Sequence, residues 1–319
     1  MEALKASIVM PAYNAGAYIE QAILSILEQT VSDWELLVVN DGSTDNTAAI
    51  IDKFAATDSR IKPIHQANSG KPSIARNIAL RQAHGDNICF LDADDVWLPT
   101  KLSSQLAVLD NNAAIDVVFH DSLYIDQNGE TLPGSYLANV KFLERAASYV
   151  SKKDELYIGG ERFYAFISAY QSSLSTQSIM FRRSLLADEP YWFPEDMDIG
   201  EDIDLWFRLV QKSRVVYIDQ CLCQYRVHPT SITKNNERFK LGFIKAHSIN
   251  FERAKLQLNS VEQRAYRQRI AKECAHLAYF YRRQGKNRLA REYYWKSFRL
   301  IPAPAQLLNW LKVWLYSAK

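Results

Sequence analysis

Cysteine is scarce and unpatterned in this chain. The four in 319 residues, Cys89, Cys221, Cys223 and Cys274, form no CxxC pair and no spaced framework. That excludes a disulfide scaffold and points to a reducing, cytoplasmic compartment. Histidine is almost as sparse, and His65, His84, His120, His247 and His276 show no metal-binding spacing. No apolar run is long enough to span a bilayer. No targeting segment is expected, because Met1 to Lys5 leads directly into an apolar stretch, Ala6 to Met10. Glycine-rich phosphate turns are missing too. The first strand ends in Pro11-Ala12-Tyr13-Asn14, which is not the GxGxxG of dinucleotide-binding oxidoreductases.

What is present is the composition of a folded protein, 48% hydrophobic and 23% charged, with room for one large domain and a smaller one. The formal net charge of +2 hides a division. Residues 236–319 carry 18 Lys and Arg against 5 Asp and Glu, a balance of +13; residues 1–235 carry 20 against 31, a balance of −11. Two regions with different partners, 1–235 and 236–319, are expected.

The first region alternates short apolar strands with amphipathic helices. Ser7 to Met10, Glu35 to Val39, Ile61 to Gln66 and Asn87 to Leu91 read as strands. Ala17 to Glu28 reads as a helix with Ile19, Ile23, Ile26 and Leu27 on one face, and Asn46 to Ala56 as a second, capped by Ser43 or Thr44. Pro72 opens a third helix that runs to Ala83. This alternation predicts an α/β fold with a mainly parallel central sheet, whose ligands gather at the carboxyl ends of the strands. Further on, Ile115 to His120 and Ser122 to Leu132 suggest a strand and hairpin, and a helix from about Glu201 to Lys212 precedes a strand, Arg214 to Val227. Residues 133–172 show no firm period. From Asn236 the chain reads as all helix, and Ala278, Tyr281, Gly285, Ala290, Tyr294, Ser297 and Pro302 have the spacing of one tetratricopeptide-like hairpin.

The strand Asn87 to Leu91 delivers an acidic segment, Asp92-Ala93-Asp94-Asp95. Carboxylates this close repel one another unless a hard cation such as Mg²⁺ or Mn²⁺ sits among them. Together with Ser7-Ile8-Val9-Met10-Pro11-Ala12-Tyr13-Asn14, Val38-Val39-Asn40-Asp41-Gly42-Ser43-Thr44-Asp45 and Gly200-Glu201-Asp202-Ile203-Asp204-Leu205, it resembles the family 2 inverting glycosyltransferases of bacterial surface-polysaccharide type. Asn68-Ser69-Gly70 and Ala75-Arg76-Asn77 strengthen the match, which covers roughly residues 6–230. The resemblance implies a GT-A nucleotide-sugar-binding domain over 1–235, followed by the basic helical region 236–319.

It also implies roles. Pro11, Ala12 and Tyr13 would line a base pocket, and Asp41 would accept a hydrogen bond from the imide N–H of uracil, favouring a UDP-sugar donor. Arg76 would face the diphosphate, where a guanidinium can bind bidentately. Asp92 would touch the ribose or the cation, Asp94 would ligate Mn²⁺ or Mg²⁺, and His228 would be a further ligand. Asp202, in the first turn of an amphipathic helix, would be the general base that deprotonates the acceptor hydroxyl. Glu201 and Ser178 would line the acceptor site. The acceptor would be a glycan or a lipid-linked glycan, with the sugar transferred with inversion.

A sugar-nucleotide pyrophosphorylase is the nearest enzymatic alternative, but it needs a glycine-rich loop and a basic signature after its first strand. A non-catalytic scaffold using the helical region is the other, and the intact Asp41, Asp94 and Asp202 set speaks against it. No nucleic-acid motif accompanies the basic C-terminal region, so nucleic acid is not expected. Residues 307–316 instead set tryptophans and lysine beside an apolar face, which suits a bilayer interface. Two readings of this face stand side by side: peripheral contact with the inner face of the cell membrane, and packing against the catalytic domain.

Overall fold

The computed structural model describes residues 4–171, 173–229 and 236–316. Its strands are β1 (Ala6–Ala12), β2 (Trp34–Asp41), β3 (Ile61–Gln66), β4 (Asn87–Phe90), β5 (Val96–Trp97), β6 (Val117–Ile125), β7 (Thr131–Ser135), β8 (Val150–Lys153), β9 (Leu156–Gly159), β10 (Met180–Arg182) and β11 (Val215–Arg226). They form one mixed sheet in the order β3-β2-β1-β4-β10-β6-β11-β9-β8, with β5 added to β11 and β7 to β6. β3, β2, β1 and β4 pair in parallel. β10 is antiparallel to both β4 and β6, while β6 and β11 are parallel. The centre is thus mainly parallel, with β10 reversed inside it.

Parallel strands covered on both faces must be apolar along their whole length. Ile8, Val9 and Met10 in β1 and Leu36, Leu37, Val38 and Val39 in β2 are accordingly fully buried. Helix Ile19–Leu27 turns Ile19, Ile23 and Ile26 into the same core. Helices Thr47–Thr57 and Pro72–Arg81 complete the crossovers, the latter with proline in its first turn.

β11 carries an irregularity that matters for the site. Its register against β6 shifts between Ile218 and Cys221 and again between Cys221 and Cys223. Past the shifts, Cys223 and Gln224 pair with Trp97 and Val96 of β5. The chain that leaves β4 through the acidic segment is therefore returned onto β11, and the end of β11 meets the acidic loop.

By packing, the described residues fall into two compact units. One comprises those within Met1–Phe163, Ser173–Asp196 and Arg208–Pro229; the other, those within Tyr164–Ser172, Met197–Phe207 and Thr230–Lys319. This differs from a single cut at 235, because two earlier segments belong with the C-terminal helices. In the helical unit, Ser260–Arg283 begins with a reciprocal cap: Glu262 N donates to Asn259 Oδ1 and Asn259 N to Glu262 Oε2, both at 2.9 Å. It forms a hairpin with Asn287–Leu300, burying Ala278, Tyr281, Ala290, Tyr294 and Ser297. No helix among the described residues is long and apolar enough to cross a membrane.

Candidate active site

The turns after β1 and β2 are stitched together by side chains. Asn14, at φ +48°, donates its N–H to Ser43 Oγ at 3.0 Å and accepts Thr44 N on its Oδ1 at 2.8 Å. Asp45 accepts Gly16 N at 2.9 Å, and Thr47 through its N–H and its hydroxyl at 3.0 and 2.6 Å. Burial works against the Asp45 charge, yet these bonds hold its carboxyl below the ordinary range. Asp45 therefore satisfies the start of helix Thr47–Thr57. Ser43 and Thr44, expected to cap it, are turned to Asn14 instead.

Asp41 closes β2 and is buried. Its Oδ1 accepts Gln66 Nε2 at 2.5 Å and Ser69 N at 2.9 Å, and its Oδ2 accepts Ser69 Oγ at 2.9 Å. A carboxylate has about four lone-pair positions, so Oδ2 retains capacity for one more donor. Gly42 follows at φ +68°, and a Cβ there would lie 2.5 Å from Asn68 N, so only glycine fits between the two loops. Of the expected pocket residues, Ala12 is buried and Pro11 half-buried, whereas Tyr13 is 52% exposed and offers an open ring face at the strand end.

Each acidic-segment carboxylate has a different partner. Asp92 Oδ1 accepts Arg76 Nη2 at 2.8 Å, with Arg76 buried beside the ring of Phe193. Asp94 Oδ2 lies 2.9 Å from His228 Nε2. Asp95 Oδ1 accepts the backbone N–H of Arg226 at 2.8 Å, while its Oδ2 is buried with no hydrogen-bond partner. Burial first, and then the negative charge of Asp92, push the Asp94 carboxyl upward against the pull of His228. Burial with Asp94 and Asp92 pushes Asp95 well up. Arg76, expected at the diphosphate, is bonded to the acidic segment through Asp92.

Among the described residues, no three His, Cys, Asp or Glu side chains already converge as a metal site. The donor chemistry nonetheless fits Mn²⁺ or Mg²⁺: Asp92, Asp94 and His228 offer two carboxylates and an imidazole, and Asp94 and Asp92 are close enough for their charges to repel.

Arg226 is a further residue at the site, one to which the family motifs assign no role. This buried guanidinium is bonded to the acidic loop, and its signal was available as a charged residue in the strand two positions before His228. The acceptor candidates stand differently from expectation. Ser178 is fully buried in a 3₁₀ turn, its hydroxyl donating to the Ser175 carbonyl at 2.9 Å, which leaves no exposed atom for an acceptor. Glu201 is buried as well.

Asp202 lies in the helical unit, half-buried at the start of helix Glu201–Lys212, its Oδ1 accepting Ile203 N at 2.8 Å. The turn before it is fixed from two sides within that unit. Gly200, at φ +87°, passes so close to helix Asn236–Ala254 that a Cβ on Gly242 would lie 2.3 Å from the Ile199 carbonyl oxygen. Buried Asp204 accepts both Nη1 and Nη2 of Arg253 at 3.2 Å.

Comparison with known proteins was consistent across sequence and fold. A glycosyltransferase of Rickettsia bellii, itself uncharacterized, is 29% identical over 259 residues, covering 79% of this chain. The chain spans only 33% of that protein's length and 45% of a Nostoc relative's. The Escherichia coli UDP-Glc:alpha-D-GlcNAc-diphosphoundecaprenol beta-1,3-glucosyltransferase WfgD is 32% identical over 232 residues, 72% of this chain and 79% of WfgD. Among solved structures, S. aureus TarS in complex with UDP superposes with a TM-score of 0.62 at 21% identity, over 93% of this chain and 81% of that one, which establishes the GT-A fold. The family model for glycosyl transferase family 2 matches residues 7–187, and the chain belongs to that family.

Proposed function

We propose that this chain is a metal-dependent, inverting glycosyltransferase. It moves a sugar from a UDP-linked donor to a hydroxyl of a glycan or lipid-linked glycan in bacterial polysaccharide biosynthesis. The observation that carries the reading is the acidic segment at the end of β4, three carboxylates each held by a separate partner, on the same sheet edge as Asp41 at the end of β2. The donor follows from the free capacity of Asp41 for an imide N–H and from the UDP bound by TarS. The lipid-linked acceptor follows from the substrate that WfgD's name gives it.

In this reading Tyr13 stacks on the base, Asp41 accepts its N–H, and Arg76 holds Asp92 in place beside the diphosphate. Asp92, Asp94 and His228 hold the cation, which when bound would offset the charge that develops on the departing UDP. Asp202 takes the proton from the attacking acceptor hydroxyl at its carboxylate. That assignment rests on its place in the Gly200–Leu205 motif and on the rigid turn that carries it.

Isothermal titration of UDP with and without Mn²⁺ tests the donor side. The expected result is binding that tightens when Mn²⁺ is added. UDP affinity indifferent to the metal would overturn the reading.

A further inference from the structure

The end of β11 does more than deliver His228. Arg226 is 2% exposed, and its four nitrogens are directed to three segments. Its backbone N–H donates to Asp95 Oδ1 at 2.8 Å and its Nε to the Asp94 carbonyl at 2.7 Å. Nη1 donates to the Asp126 carbonyl at 3.1 Å, in the turn between β6 and β7, and Nη2 to Gln21 Oε1 at 2.7 Å, on helix Ile19–Leu27. The face of the guanidinium lies over Tyr18 at 4.8 Å, and the same Tyr18 ring lies 5.1 Å from the His228 imidazole. One side chain thereby fixes the backbone of the acidic loop, the hairpin turn and the first helix, and shares a ring with the histidine that pairs with Asp94.

We propose that Arg226 is a positioning residue of the donor site. It holds the Asp94 backbone and, through Tyr18, the His228 ring in the one arrangement from which both can engage a cation and its diphosphate. This rests on the reading that Asp94 and His228 form the cation–diphosphate station. The argument is geometric. Asp94 follows the strand in a loop that carries three mutually repelling carboxylates, and Arg226 is a charged group tied to that loop's own backbone, through the Asp94 carbonyl. The planar guanidinium supplies three separately aimed donors at fixed angles. A lysine would supply a single nitrogen, which cannot reach carbonyls on three segments at once. Groups that orient metal ligands without touching the metal commonly account for ten- to a hundredfold in metal affinity.

The test is titration of UDP into the full-length chain, with and without Mn²⁺, for the unaltered protein, Arg226→Lys and Gln21→Ala. Arg226→Lys is expected to keep metal-free UDP affinity within about threefold and to lose about tenfold or more of the tightening that Mn²⁺ brings. Gln21 is an exposed helix residue, so Gln21→Ala folds normally and removes only the Nη2 acceptor; a loss of about threefold in the same tightening is expected. A folded Arg226→Lys with the Mn²⁺ effect intact overturns the proposal. So does a parallel fall of both affinities, which would mark a general scaffold residue. Should Arg226→Lys fail to fold, an unchanged Mn²⁺ effect in Gln21→Ala overturns it. If the unaltered protein itself shows no Mn²⁺ effect, the donor-site reading fails and takes this inference with it.

Discussion

His120 predicts a specific acid sensitivity. It sits in β6, buried, with its Nδ1 2.7 Å from the Asp121 carbonyl oxygen. A carbonyl can only accept, so Nδ1 carries the proton and Nε2 is a bare lone pair, buried without a hydrogen-bond partner. Protonating Nε2 would place a charge in the core. Burial first, and then the nearby Lys101, depress the imidazole from 6.5 to about 3. In the unfolded chain His120 takes up a proton near 6.5; in the folded chain it does not until about 3. Its stabilising effect is therefore complete above 6.5 and is lost progressively as pH falls toward 3. From pH 8 to pH 4 the unfolded side gains about 2.5 pKa units of proton binding, about 3 kcal/mol at 1.36 kcal/mol per unit. His120→Asn keeps an N–H for the Asp121 carbonyl and removes the titration. It leaves a small cavity whose effect is the same at every pH. Carboxylates titrate alike in both proteins and cancel. Urea unfolding followed by tryptophan fluorescence, run at several values from pH 8 to pH 4, should show the stability gap between the two proteins closing by about 3 kcal/mol. Parallel pH curves would refute the assignment of His120 as a buried neutral base.

Three further outcomes are expected. Asp202→Asn should reduce sugar transfer about a hundredfold or more while UDP affinity, read by titration, stays within about threefold; a large loss of donor affinity would remove Asp202 from the base role. Gly42→Ala should destabilise the chain by about 1–2 kcal/mol from the left-handed backbone alone and weaken UDP binding, because Asn68 must move away from the new Cβ; unchanged melting and unchanged affinity would contradict the packing described. Leu308 and Leu311 are exposed on helix Pro304–Tyr316, so Leu308→Asp with Leu311→Asp should lower co-sedimentation with phosphatidylglycerol-containing vesicles about tenfold; equal sedimentation would argue against a membrane role for this face.

The readable part of the site was the part written in local pattern. Strand–helix alternation placed the turns after β1, β2 and β4 at one edge, since parallel strands joined by crossovers have no other geometry open to them. Asp41, Asp92 and Asp94 could be picked out because they fall in short motifs just past apolar strands, which carry the family resemblance. Ser178 misled because a polar residue before a strand looks the same whether it faces a ligand or closes a 3₁₀ turn. Ser43 and Thr44 misled for a similar reason: the partner they meet, Asn14, lies about 30 residues away.

Sequence alone therefore determined the parallel half of the sheet, the acidic segment at its edge, and the family. Periodicity, turn chemistry and motif are local properties that survive without knowledge of distant partners. Only the tertiary structure decided that β10 enters the sheet reversed, that the irregular register of β11 returns the acidic loop beside His228, and that Arg226 ties that loop to three other segments. It also decided that residues 164–171 and 197–207 pack with the C-terminal helices. Those outcomes depend on pairings between strands and side chains about 50 to 200 positions apart. There the burial of a charge or the bulge in a strand is settled by the partner it meets, not by its neighbours in the chain.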